Sequence, residues 1–240
     1  MKKLIWPIVR KIEYYSGKSS LTNFLNYITA RNITVAGMEC TGSTFVYQII
    51  KEIGASPIKI HHYLEDNTIK LVTYRDPRDV ICSYARRQLK DISESHGLEN
   101  GLLNSHRKLF CNLKRHEDLR QYRENNHAIL LKYEKYFNGH EIELISYLSD
   151  RLKIKINASK KNLLTDKYSI DMNMKRSKHF MRFQEYDEET QIHGDHISSG
   201  GRKGVWKELF TPKVCEIVKK DLGNFLIEFG YENNMDWQTQ

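Results

Sequence analysis

The stretch Asn32 to Gly54 constrains this chain most. An apolar, β-branched run, NITVAG, meets a turn of small residues, Glu39-Cys40-Thr41-Gly42-Ser43-Thr44, and then FVYQIIKEIG. The first run has the composition of a strand buried on both faces. In the last, Phe45, Val46, Ile49, Ile50 and Ile53 recur at helical spacing and Gly54 supplies the stop. A strand, a tight turn and a helix therefore follow one another, and the turn sits where the unpaired N–H groups of a helix N-terminus collect. With three hydroxyls beside them, those groups form a cradle for an anion.

Further segments repeat the alternation. Pro57 to Ile60 is a short strand candidate ending in His61-His62. Ile69 to Tyr74 is a buried-type strand running into Arg75, and His127 to Lys132 is another. Between them Asp76 caps a helix that Pro77 opens, with Asp79 in the first turn where a carboxylate favours the helix dipole. Residues 91–126 are helical in pattern, Gly139 to Leu152 is an amphipathic helix, and a last helix from Thr211-Pro212 buries Val214, Ile217, Val218, Leu222, Phe225 and Phe229. The expected fold is α/β, a central, mostly parallel sheet with helices on both faces. A single domain over 1–240 is expected, with 1–31 as an N-terminal lead-in. Residues 157–204 read as loops and short helices over a functional edge.

Charge supports an anionic ligand, since 38 Lys+Arg against 30 Asp+Glu leave a formal +8. The cysteines at 40, 82, 111 and 215 form neither a CxxC pair nor a zinc-module spacing, so a reducing, cytoplasmic compartment is expected and no metal site. His193-Gly194-Asp195-His196 lacks a third ligand at a defined spacing and reads as a loop. No run of 18 apolar residues occurs, and the opening MKKLIWPIVRK is too short in its apolar part for a signal peptide. Contact of that basic segment with a membrane surface is the less favoured expectation.

The second constellation is Arg75-Asp76-Pro77-Arg78-Asp79-Val80-Ile81-Cys82-Ser83. Arg75 stands at the C-terminal end of a strand, where open α/β sheets bind ligands, and a guanidinium there suits a bidentate grip on phosphate. In this order, the turn and RDPRDVICS resemble the two nucleotide-binding motifs of the sulfotransferases that use 3′-phosphoadenosine 5′-phosphosulfate (PAPS). Lys59-Ile60-His61 resembles their KTH. Leu131-Lys132-Tyr133-Glu134 resembles a strand end whose tyrosine contacts the nucleotide, and Arg202-Lys203-Gly204-Val205-Trp206 resembles their RKG segment.

The resemblance, covering about residues 33–211, implies the P-loop-like sulfotransferase architecture and PAPS as donor with no metal. By it, Cys40, Thr41, Gly42, Ser43 and Thr44 line the 5′ end, and Phe45 takes the adenine-stacking position. Arg75 and Ser83 clamp the 3′-phosphate under Arg202, Lys203 and Gly204, and Tyr133 meets the nucleotide. His61 is the implied general base, and Lys59 steadies the transferred group. The partner is a hydroxyl-bearing acceptor, saccharides among the candidates, and not a nucleic acid. Cys40 departs from the pattern, standing where the family carries a Lys or Arg. Two other readings draw on the same residues. A P-loop nucleotide kinase lacks the Gly-Lys-Ser/Thr loop it would need. A catalytically degenerate basic protein that binds anionic polymers would account for Cys40 and the charge.

Overall fold

A computed structural model describes residues 33–88, 95–137, 139–194, 197 and 200–238. The N-terminal lead-in, and Asp195 and His196 of the HGDH loop, lie outside the described residues.

Four strands form one parallel sheet: β1 (Ile33–Gly37), β2 (Ile58–Lys59), β3 (Ile69–Tyr74) and β4 (Ala128–Lys132), in the order β2-β1-β3-β4. Val35 pairs with Lys59 on one side and Leu71 on the other, and Leu71 pairs in turn with Ile129. Side chains alternate across the pleat, so neighbours on one strand enter opposite layers. Ile33, Val35, Leu71, Ile129 and Leu131 pack against α1 (Ser43–Glu52), against α6 (Glu141–Leu152) and against Leu164 of α7 (Ala158–Lys167). Ala36 and Val72 face the other layer. That layer holds α2 (Pro77–Gln88), α3 (Ser95–His106), α4 (Arg115–Glu124) and the C-terminal α10 (Pro212–Glu228). Residues such as Ile49, Leu102 and Leu222 are fully buried, and each stabilises the fold by about 1.5–3 kcal/mol.

Polar residues fix where the elements begin. Asp76 Oδ1 accepts from Arg78 N at 2.9 Å at the start of α2, and Thr211 caps α10 by accepting from Val214 N at 3.4 Å. Ile217 of α10, and Phe229 at its C-terminal cap, are half-buried rather than core. Only Ile58 and Lys59 of the second strand candidate pair with β1, and His61 and His62 lie in the bend that follows.

The helical region after residue 94 is not uniform. A π-helical turn, Arg107–Asn112, follows α3, and Lys114 takes a left-handed conformation (φ 51°) before α4. Between β4 and α6 stands the short α5 (Tyr133–Tyr136). Beyond α7 come α8 (Ile170–Ser177) and an antiparallel pair, β5 (Tyr186–Asp187) with β6 (Ile192–His193), and α9 (Trp206–Leu209) precedes α10.

The strand order has one consequence for function. From β1 the chain passes through α1 to β2 on one side, then crosses to β3 on the other. Neighbouring connections thus leave the sheet in opposite directions, and a crevice opens at the carboxyl ends of β1 and β3, where α/β sheets of this kind bind ligands.

Candidate functional site

The turn after β1 fills one side of that crevice. Gly37 has φ 143°, and a Cβ there would lie 2.3 Å from the Thr73 carbonyl oxygen, so only glycine lets β1 and β3 run this close. Gly42, in the left-handed region at φ 88°, precedes α1 and gives it no side-chain cap. A Cβ on Gly42 would strike the Phe137 ring at 2.6 Å. The first N–H groups of α1 thus meet a surface of backbone, with the partial positive charge of the helix N-terminus behind them. The Thr41 hydroxyl turns inward, donating to the Met38 carbonyl at 2.7 Å and sharing a 2.7 Å bond with Thr73. It holds the turn to β3 and does not line the cleft, whereas Cys40, Gly42, Ser43, Thr44 and Phe45 do.

Two residues at the end of β2, β1's other neighbour, and just past it reach the same point. Lys59 Nζ donates to Thr44 Oγ1 at 2.6 Å, which sets an ammonium group on the first turn of α1. Burial, with a smaller contribution from the Arg87 charge, lowers its pKa to about 8. His61 Nδ1 lies 2.8 Å from the Gly37 carbonyl oxygen. A carbonyl can only accept, so Nδ1 carries the proton and Nε2 presents a lone pair. Burial lowers the pKa of the ring below its ordinary value. His62 is exposed, and its backbone carbonyl accepts from Tyr122 Oη at 2.8 Å.

Arg75, 3% exposed, closes the other side. Its guanidinium stacks 4.4 Å from the Tyr133 ring, donates to the Arg202 and Cys40 carbonyls, and lies 3.6 Å from Asp79. Its Nε is buried without a hydrogen-bond partner. Ser83 stands two turns into α2 and lines the cleft.

Asp79 has a second task. It accepts from Gly204 N at 2.7 Å and Trp206 N at 3.1 Å, pinning the RKG segment across α2 through its backbone. Burial raises its pKa despite the Arg75 charge. The side chains of that segment point elsewhere: Arg202 pairs with Glu208 at 3.0 Å, and Lys203 donates to the Glu134 carbonyl at 2.7 Å. Gly201, one residue earlier, lines the cleft, and its carbonyl accepts from Tyr133 Oη at 2.9 Å.

An aromatic group floors the cleft. Tyr133 and Phe137 stack at 4.6 Å with 9° between their planes, and Phe45 meets Phe137 edge-on at 5.8 Å. Opposite, Tyr168, Ile170, Phe183 and Ile192 make a largely apolar wall, with Asn173 and His193 among them. His193 is stacked between Phe183 and Tyr186, at 4.6 and 4.8 Å. Its Nδ1 donates to the Phe183 carbonyl at 2.8 Å. Glu39 also borders the cleft, but Arg115 grips both of its oxygens at 3.2 Å, so its charge does not oppose an anion there.

Sequence reasoning missed Arg87, Phe137 and Phe183, and it read His193 as part of a loop, whereas His193 ends β6 and lines the cleft. Arg87 had a signal: it lies four residues after Ser83, on the same helix face. Here its guanidinium stacks over Phe183 at 4.2 Å and adds a third cation to Lys59 and Arg75.

No family model matches this chain, and no curated protein sequence matches it. Among solved structures, it is similar to mouse sulfotransferase SULT7A1 complexed with PAP, with a TM-score of 0.58 at 15% identity. The match covers 84% of this chain and 89% of the mouse one. The chain has the sulfotransferase fold, an α/β architecture with a parallel sheet. Among the described residues no helix is long and apolar enough to cross a membrane.

Proposed function

We propose that this chain is a sulfotransferase that moves a sulfuryl group from PAPS to the hydroxyl of an acceptor, a saccharide or small molecule. One observation carries the reading. An ammonium group on the N-terminal turn of α1 and a histidine whose Nδ1 is already committed converge on the crevice between β1 and β3.

The residues suit such a donor. The unpartnered Nε of Arg75 is a buried cationic donor that an anionic group would satisfy, and Ser83 offers a hydroxyl in the same cleft. Glycine at 42 lets the Phe137 ring close against the turn before α1, at the floor of the cleft. Adenosine 3′,5′-bisphosphate (PAP), the ligand in the mouse neighbour, is what remains of PAPS after transfer.

When bound, PAPS supplies an activated sulfuryl group whose departure leaves negative charge on a phosphate oxygen. Lys59 and the α1 N–H groups stabilise charge at that point, and they are in place before it develops. Lys59 thereby supplies the cation that Cys40 does not. His61 Nε2 takes the proton of the acceptor hydroxyl, a role typically worth about 10²–10⁴-fold. Tyr168, Ile170, Phe183 and Ile192 favour an acceptor with an apolar ring face. The four free cysteines support a cytoplasmic setting.

Incubation of the protein with ³⁵S-labelled PAPS and an acceptor library, with products read by mass, tests the reading. A labelled product heavier by one sulfuryl group is expected. PAP binding with no transfer to any acceptor class would favour a degenerate binding protein, the reading that Cys40 suggests.

A further inference from the structure

Outside the cleft, one cluster of side chains has no part in the chemistry above. His106 ends α3, Cys111 lies in the π-helical turn that follows, and Asp221 projects from α10. One ligand atom from each falls within 4.8 Å of the others. His106 is 2% exposed, yet its buried Nε2 has no hydrogen-bond partner. That nitrogen is 3.4 Å from Asp221 Oδ2, and Cys111 Sγ is 3.9 Å from the same oxygen. In a tetrahedral zinc site, bonds of about 2.0–2.3 Å put ligand atoms about 3.3–3.6 Å apart. The two shorter separations are therefore close to the edges of such a tetrahedron before any cation is present.

The backbone explains how these residues meet. On an α-helix, residues five apart point about 140° away from each other. The π turn replaces that geometry with i→i+5 bonding, as in Leu113 N to the Lys108 carbonyl at 3.0 Å, and so brings Cys111 round beneath His106. Single π turns inside helices gather at functional sites. Cys111 and Asp221 are exposed, so solvent reaches the cluster from one side while the histidine anchors it from within.

We propose that His106, Cys111 and Asp221 form a site for a zinc-like divalent cation, with water in the fourth position, that ties the π turn after α3 to α10. Imidazole, thiolate and carboxylate together are the donor set of a borderline-soft ion rather than of magnesium or calcium. On binding, the metal–sulfur bond forms as the Cys111 thiol releases its proton to solvent. Arg107, beside the cluster, opposes a cation, and the two anionic ligands outweigh it. None of the three residues lines the nucleotide cleft, so the site stands or falls independently of the proposed transfer reaction.

Cobalt(II) titrated into the full chain is the test, because a tetrahedral site with one thiolate gives visible ligand-field bands and a sulfur-to-cobalt charge-transfer band. One equivalent should produce both, and excess zinc should remove them. Cys111→Ser should abolish the charge-transfer band, and Asp221→Asn should weaken binding at least about tenfold. Both positions are exposed, so neither variant depends on repacking the core, whereas Cys40→Ser should leave the spectrum intact. A zinc concentration about a hundredfold above Kd should raise the melting temperature by at least about 5 °C in the wild type and not in Cys111→Ser. Absence of the bands, their survival in Cys111→Ser, or their loss in Cys40→Ser instead would overturn the proposal.

Discussion

Lys59→Met should make the protein more stable and abolish transfer, and the two effects come from one cause. An unburied lysine titrates near 10.5, but burial brings Lys59 to about 8. Keeping the buried group protonated at neutral pH therefore costs about 3 kcal/mol of folding stability. Methionine removes that cost and forfeits the 2.6 Å charge-assisted bond to Thr44, worth about 2 kcal/mol, so the net gain is about 1 kcal/mol. For a chain of this size the gain corresponds to about 2–4 °C in Tm. The pH dependence separates this cause from simple repacking. Below about pH 8 both folded and unfolded chains hold the proton and the cost is full. Between about 8 and 10.5 only the unfolded chain holds it, so wild-type stability rises with pH and overtakes the deficit. Denaturant midpoints of both proteins at pH 7 and pH 10.5 make the measurement. A variant less stable than wild type at pH 7, or a difference that does not shrink by pH 10.5, would refute the reasoning. Transfer should fall by at least about 10²-fold, the usual consequence of removing one group that stabilises developing charge.

Three other outcomes follow from the same geometry. His61→Ala should lower turnover at least about 10²-fold with PAP affinity within a few-fold in calorimetry, while exposed His62 tolerates alanine; the reverse pattern would place the base one residue later. The profile of kcat/KM against pH should fall on the acid side as His61 is protonated, below the ordinary histidine range, and on the alkaline side near pH 8 as Lys59 loses its proton; the lack of any acid limb below the ordinary histidine range would contradict the first assignment, and the lack of a decline through pH 8 the second. Asp79→Asn sets an amide NH2 against the backbone N–H of Gly204 or Trp206, and should cost about 1–3 kcal/mol in denaturant unfolding; no loss of stability would show that Asp79 does not hold the RKG segment.

How much of this was legible in the sequence depends on what each residue uses. β1 and β3 were plain because strands buried on both faces are mostly apolar, Thr34, Lys70 and Thr73 being their buried polar residues, and β4 because the apolar run Ala128 to Leu131 precedes its end. The starts of α2 and α10 were plain because Asp-Pro and Thr-Pro cap and open helices. The β5–β6 pair was not. Its strands are two residues long, and its turn rests on Asp187 Oδ1 accepting from the Glu189 and Thr190 amides, too little for a periodic signal. The π turn was equally silent, since its only mark is the five-residue spacing of His106 and Cys111.

Within the site, Lys59 and His61 could be singled out by their spacing within a recognisable segment. Thr41 could not be told from Ser43 and Thr44, because its inward turn depends on Thr73, which faces it across the sheet. Arg202 and Lys203 drew attention as charges, yet their segment meets α2 through the backbone N–H groups of Gly204 and Trp206, which any sequence would supply.

Binding of PAP against AMP by calorimetry probes the nucleotide assignment most directly, because it needs no acceptor. In the proposed function Arg75 and Ser83 serve a 3′-phosphate, which AMP lacks. Loss of one charge-assisted bidentate contact costs about 1.5–3 kcal/mol, so PAP should bind roughly ten- to 150-fold more tightly, and Arg75→Lys should erase most of the difference. Equal affinity for the two nucleotides, or selectivity that survives Arg75→Lys, would contradict the assignment.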